Sequence, residues 1–265
     1  MKRMVIALLV FVALLVAADF GAAALTESAV SRQMREQLGL DEDPSVRING
    51  FPFLTQAVSG SYRSVDVAAQ RISVGQLREL EVRAQLRDVT APPLGQILSR
   101  GIREITVGEA DGTLRIGARD LERLIPGVDK LRIENVDSDA LEKVASEGGD
   151  PAVATIDPDT AARLVGTTTV LGQELEVAVI VELKIVEGKI EIQPRDVKLG
   201  TDGPSLPSFA QRALRSLFTV RIDPGRLPLS VTPTDLRAVG GALEVTGRTG
   251  LIVIGGTSPS GAAGG

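Results

Sequence analysis

The chain has 265 residues, 43% of them hydrophobic, and a formal net charge of −5 from 29 basic and 34 acidic side chains. That is enough apolar residue to bury a substantial core as one large domain or two small ones, while the acidic, interleaved charge argues against binding to a phosphate backbone. It has no histidine, cysteine or tryptophan, which excludes Ser-His-Asp and Cys-His catalysis, the usual zinc and copper sites, a disulfide framework and a lipid anchor on a processed N-terminal cysteine.

Lys2 and Arg3 precede an uninterrupted apolar run from Met4 to Ala18, the layout of a positively charged n-region and an apolar h-region. This predicts export. Ala22-Ala23-Ala24 offers small residues for a signal peptidase, yet apolar character resumes past Asp19 to Leu25, and the 22 positions from Met4 to Leu25 suffice for a helix of about 30 Å. An uncleaved anchor is the favoured reading, with Asp19 snorkelling at the outer interface. A helix is expected from about Ala22 to Leu38, able to continue straight out of the membrane and ended by Gly39 and the acidic turn Asp41-Glu42-Asp43-Pro44.

Next comes Gly50-Phe51-Pro52-Phe53-Leu54-Thr55-Gln56, which concentrates two of only six phenylalanines. Proline sets its own φ and biases Phe51 toward an extended conformation, so the motif is a rigid apolar knuckle. Either it plugs the end of a core or it contacts an apolar ligand.

After the knuckle the pattern has period two. Leu80, Val82, Ala84 and Leu86 alternate with Glu81, Arg83, Gln85 and Arg87, one face wet and one buried. Between Val65-Asp66-Val67 and Ile72-Ser73-Val74 the phase slips, as a sheet-bending bulge would make it. Residues 62–103 lean basic, which reads as a solvated strand face or as a contact with anionic headgroups. A hairpin is expected around Asp111-Gly112, and a longer one where a strand with the same alternation, Leu175, Val177, Val179, Val181, Leu183 and Ile185, meets Lys189-Ile190-Glu191-Ile192 across Glu187-Gly188.

Short helices are expected at Pro93 to Arg100, Ala118 to Ile125, Asp139 to Ala145, Pro158 to Val165 and Ser208 to Phe218. In the last, Phe209, Ala210, Ala213, Leu214, Leu217 and Phe218 form a wide apolar stripe, suited to a core helix or to one lining a lipid cavity. Asp137-Ser138-Asp139 has the form by which some glycosyltransferases hold a divalent cation, but Ser138 or Asp139 also sits where a helix needs an N-cap. Asp157-Pro158-Asp159 reads likewise, with Asp157 as cap, Pro158 as first helical residue and Gly166 as terminator. No catalytic residue, metal or cofactor is assigned.

The run GFPFLTQ, followed by Ser59-Gly60-Ser61-Tyr62 and a strand with Val65 and Val67, resembles the opening signature of the LmeA-like family of actinobacterial phospholipid-binding envelope proteins. The outline continues through alternating strands to a late Leu227-Pro228-Leu229 turn. The resemblance implies an architecture similar to the tubular lipid-binding fold and a supporting role in building envelope glycolipids such as lipomannan.

The expected fold is α+β: a long, strongly curved, barrel-like antiparallel sheet wrapped around helices, preceded by an N-terminal apolar helix. Residues 1–25 form a signal or anchor segment, 26–254 the lipid-binding domain and 255–265 a disordered Gly/Ser/Ala tail. The expected function is non-catalytic binding of phospholipid in an apolar cavity at the outer, periplasmic face of the cytoplasmic membrane, with Phe51, Phe53, Leu54, Phe209 and Leu214 as lipid contacts. Two alternatives stay open: a scaffold docking an envelope glycosyltransferase through its apolar surface, and a hydrolase using two facing carboxylates.

Overall fold

A computed structural model describes residues 2–74, 77–93, 104–170, 173–200, 203, 208–222 and 232–254. The helix expected from Pro93 to Arg100 beyond its first residue, the Leu227-Pro228-Leu229 turn and the Gly/Ser/Ala tail lie outside the described residues. In chain order the elements are α1 (Lys2–Leu38), β1 (Ser45–Asn49), α2 (Phe53–Ser59), β2 (Ser61–Val74), β3 (Leu77–Thr90), β4 (Ile105–Gly117), α3 (Ala118–Leu124), β5 (Val128–Asn135) and α4 (Ser138–Ser146). Two 3-10 turns (Pro151–Thr155 and Pro158–Thr160) precede β6 (Ala161–Val170), β7 (Gln173–Val186), β8 (Lys189–Leu199), α5 (Ser208–Phe218), β9 (Val220–Ile222), β10 (Thr232–Val239), β11 (Ala242–Thr249) and β12 (Ile252–Ile254).

The fold is mixed α and β, with a curled antiparallel sheet forming a half-barrel and an N-terminal apolar helix. One sheet runs β1-β2-β3-β4-β11-β10 with β12 also on β4, and a second runs β5-β6-β7-β8-β9. The chain divides into two compact units, the first comprising residues 1–69, 83–111 and 249–265 and the second residues 70–82 and 112–248.

In the first unit, α1 is continuous from the apolar run into the polar stretch, so the helix expected from Ala22 is the second half of one 37-residue helix. Its polar half is tied down along one broad side. Glu27 accepts from the Ile48 amide at 2.7 Å, Ser31 donates to the Pro44 carbonyl at 2.5 Å, and Arg35 pairs with Asp43 at 3.2 Å. Steps of four residues keep these three groups on neighbouring turns of the same face.

The second unit holds one large aliphatic core. Leu164 of β6, Val177, Val179 and Val181 of β7, and Ile190 and Ile192 of β8 meet Leu121 of α3 and Leu214 and Phe218 of α5. Leu80, Leu114, Leu236 and Leu243 close the same core from β3, β4, β10 and β11. A smaller cluster, including Leu141, Val144, Val153 and Ile180, covers the other face of β7. That is why Val177 to Val181 are buried on both faces, although the charge alternation farther along the strand predicts one wet face.

The turn between β7 and β8 has Glu187 at φ 52° and Gly188 at φ 77°, with Val186 opposite Lys189. Both central residues are left-handed, the two-residue geometry whose twist matches that of the strands it joins. Farther along, the register shifts between Ile180 and Val181, where Pro194 stands opposite Val181. Proline has no N–H for the ladder and is tolerated at such irregularities. The phase slip expected in β2 coincides with Arg71, whose φ of 54° interrupts the pleat.

Three expectations fail. Asp111-Gly112 is not a turn: β4 runs unbroken through it, and Asp111 pairs with Arg87 of the neighbouring strand at 2.9 Å. A turn dipeptide carries through where a long strand has partners on both sides, since the ladder outweighs local preference. The helix expected over Pro158 to Val165 is a three-residue 3-10 turn, correctly begun by Asp157 and Pro158, followed by β6. Gly166 therefore terminates no helix; it lies inside β6, where a Cβ would come within 2.6 Å of Val128 Cγ1. The cap of α4 is Asp137, not Ser138 or Asp139, and accepts from the Ala140 amide at 2.8 Å.

Candidate functional site

The Phe-Pro-Phe knuckle becomes a short helix standing beside the apolar helix. Gly50 enters it at φ 112°, a close approach in which a Cβ would meet Gln56 Nε2 at 2.8 Å, and the Phe51-Pro52 peptide is cis. α2 starts at Phe53 and ends at Gly60, which is left-handed at φ 73° and donates its N–H to the Gln56 carbonyl. A Cβ at Gly60 would lie 2.2 Å from the Ala91 carbonyl oxygen, so two separate constraints require glycine there. The Gly60 carbonyl in turn accepts from Ala91 at 2.8 Å.

The proline before α2 has no N–H, and no side chain at the N-cap position closes the helix. The cap comes from α1. Asp19 accepts from the Phe53 amide and the Leu54 amide, each at 2.8 Å, and is buried to 5% exposure. This corrects the snorkelling expectation: the carboxylate turns onto α2 because two preorganised N–H groups, reinforced by the positive end of a helix, satisfy it better than an apolar surround would. Its sequence signal is its place as the lone charge between Met4 and Leu25.

The two rings flanking Pro52 go separate ways. Phe53 is buried against Tyr62, ring centroids 6.4 Å apart, and the same burial pushes the Tyr62 phenol pKa up. Phe51 is 59% exposed and stacks on Phe20 of α1 at 6.1 Å. Leu54 and Val58, one helical turn apart on α2, are exposed as well.

The other expected contacts belong to the second unit. Leu214 packs in the large core, with Phe218 on the same side of α5 and fully buried. Phe209 is the second residue of that helix. The five residues are thus divided, with Phe51, Phe53 and Leu54 in one unit and Phe209 and Leu214 in the other.

The charged groups form brackets and ion pairs. Asp120 of α3, completely buried, accepts from the consecutive Arg78 and Glu79 amides at 2.8 and 2.9 Å and from Arg123 at 2.6 Å. It repeats for the start of β3 what Asp19 does for the start of α2. Within the basic stretch, Arg87 is paired with Glu109 and Asp111. Glu182 is pulled two ways: burial raises its pKa, but hydrogen bonds from Arg195 and Lys184 outweigh this and hold it below the ordinary carboxylate range. A general acid would need the opposite displacement. Among the described residues no cluster of three or more acids could hold a metal ion, and Asp137 of the Asp-Ser-Asp triplet is occupied as a cap.

In the first unit an apolar helix is hydrogen-bonded to α2 and the apolar side chains of Phe51, Leu54 and Val58 stand exposed beside it, a surface suited to apolar contact. The chain belongs to the LmeA-like phospholipid-binding family, whose model matches residues 17–248. No curated protein and no solved structure matches the chain.

Proposed function

We propose that this protein is a non-catalytic phospholipid-binding protein of the cell envelope, held at the outer face of the cytoplasmic membrane by α1 and sheltering acyl chains in an apolar cavity. The observation that carries the reading is membership of a phospholipid-binding family over residues 17–248. The motive is physical: at about 0.8 kcal/mol per buried methylene, one acyl chain represents on the order of 10 kcal/mol of transfer free energy, so a lipid outside a bilayer needs an apolar shelter. Phe51 and Leu54 offer contact from the surface of the first unit. Phe53 and Leu214 belong to the reading as buried apolar residues, and Phe209 as a proposed contact on α5. Support for glycolipid or lipomannan assembly is the cellular role that the family resemblance implies for such a binder.

Lipid extraction and native mass spectrometry of the full chain, after detergent stripping of loosely held lipid, test this. Retention of phospholipid near one per chain, reduced at least fivefold by Leu54→Asp or Phe209→Asp with the fold intact, is the expected result. A lipid-free chain that also takes up no added phospholipid would favour the second reading. In that reading the exposed Phe51, Leu54 and Val58 dock a membrane glycosyltransferase.

A further inference from the structure

We infer that α2 is a second membrane element, inserted into the outer leaflet beside α1 and pinned at its depth by Asp19, and that α1 is retained in the working protein. The inference rests on reading α1 as a membrane span. It adds a partner, the acyl region of the bilayer, for the exposed side chains of the Gly50–Gln56 knuckle and of the α2 turn that follows it.

Depth comes from the helix. With Met4 as the first apolar residue, a hydrocarbon layer of about 30 Å takes about 20 residues and ends near Ala23. Asp19 then lies four residues inside that limit, about 6 Å at 1.5 Å per residue. Because Asp19 holds the Phe53 and Leu54 amides at 2.8 Å, the start of α2 sits at the same level. The side chains there agree with that depth. Phe20, Phe51, Leu54 and Val58 are all open to the surroundings, and the first two stack on one another.

The hydrogen bonds explain how polar groups survive at this depth. A lone carboxylate in the apolar layer is costly, and so are the free amides that begin any helix. Here each satisfies the other, and Pro52 removes a further donor by having none. A snorkelling aspartate would leave the α2 amides unpaired. Cleavage at Ala22-Ala23-Ala24 would also discard Asp19 and strip the cap from the Phe53 and Leu54 amides.

The chain has no tryptophan, so single-tryptophan variants report cleanly on depth. Full chains carrying Leu15→Trp, Leu38→Trp or Leu54→Trp would be reconstituted in phosphatidylcholine vesicles with brominated acyl chains. Leu15→Trp is the membrane reference and Leu38→Trp, far along the polar half of α1, the aqueous one. The expected result is bromolipid quenching of Leu54→Trp at least half that of Leu15→Trp, with little for Leu38→Trp. Adding Asp19→Ala should cut the Leu54→Trp signal at least twofold and leave Leu15→Trp unchanged, with Asp19→Asn between the two.

Leu54→Trp quenched by aqueous acrylamide while Leu15→Trp stays protected would overturn the α2 inference and leave the span standing. Loss of bromolipid quenching at Leu15, or a mature chain beginning after Ala24, would overturn the span and the inference with it. Depth quenching does not depend on a lipid held in a cavity, so either result leaves the co-purification test with Phe209→Asp, a variant in the other unit, to stand or fall by itself. Should Asp19→Ala unfold the protein, Asp19→Asn against the parent Leu54→Trp decides the pinning: equal quenching in both would overturn it.

Discussion

Single residues do much of the positioning, and they do so by satisfying backbone groups that local structure leaves open. Asp120 is fully buried and takes two consecutive amides of β3 together with the Arg123 guanidinium. Asp120→Ala is expected to destabilise the protein by about 2 kcal/mol or more, since the partners are left without an acceptor. A chemical denaturation midpoint measured beside Asp120→Asn, which keeps one acceptor oxygen and should lose less, checks this. Gly60 combines a φ of 73° with a Cβ position 2.2 Å from a carbonyl oxygen. Gly60→Ala should therefore cost more than the roughly 1 kcal/mol of a left-handed alanine alone, and amide exchange across residues 53–60 should rise with it.

At the scale of elements, the β7–β8 hairpin and α5 carry the second unit. Glu182 of β7 is paired with Arg195 of β8 and with Lys184, and its carboxyl lies below the ordinary range in the folded protein. A lowered folded value means that the unfolded chain takes up the proton first as acid is added. The pair's contribution is therefore present above the unfolded value of about 4.3 and is lost as pH falls through the lower folded one. Glu182→Gln should flatten this part of the acid limb, read as a smaller drop in melting temperature between neutral and acidic pH. Phe218, the last residue of α5, is completely buried among the strands. Phe218→Ala should cost about 3–5 kcal/mol by opening a cavity, whereas Arg212→Ala on the exposed side of the same helix should change stability by less than about 0.5 kcal/mol.

Across the whole molecule, α1 is both a membrane-length helix and a structural member of the first unit, fixed at Asp19, Glu27, Ser31 and Arg35. A chain starting at Thr26 keeps the last three ties and loses the first. It should fold, but with faster exchange at the Phe53 and Leu54 amides; unchanged protection there would show that α2 is capped by other means. Much of this was legible in the sequence. Period-two alternation placed β3 and β7, the apolar run and its polar sequel placed α1, and the wide stripe placed α5 with the bounds it has, because short-range periodicity records which face is buried. The knuckle and its family resemblance pointed to phospholipid. What eluded the sequence depends on partners far along the chain. Asp111-Gly112 reads as a turn until neighbouring strands hold it straight, and residues 161–165 read as helical until β5 and β7 pair with them. Asp19 looks like a charge seeking water until α2, 34 residues away, brings it two amides. Composition and local period suffice for an apolar N-terminal helix, for antiparallel strands and for excluding histidine and cysteine chemistry. Which carboxylates become caps, which glycines become close contacts and which rings stay in the open depends on the folded chain, because a hydrogen bond or a packed face needs a second element delivered to it.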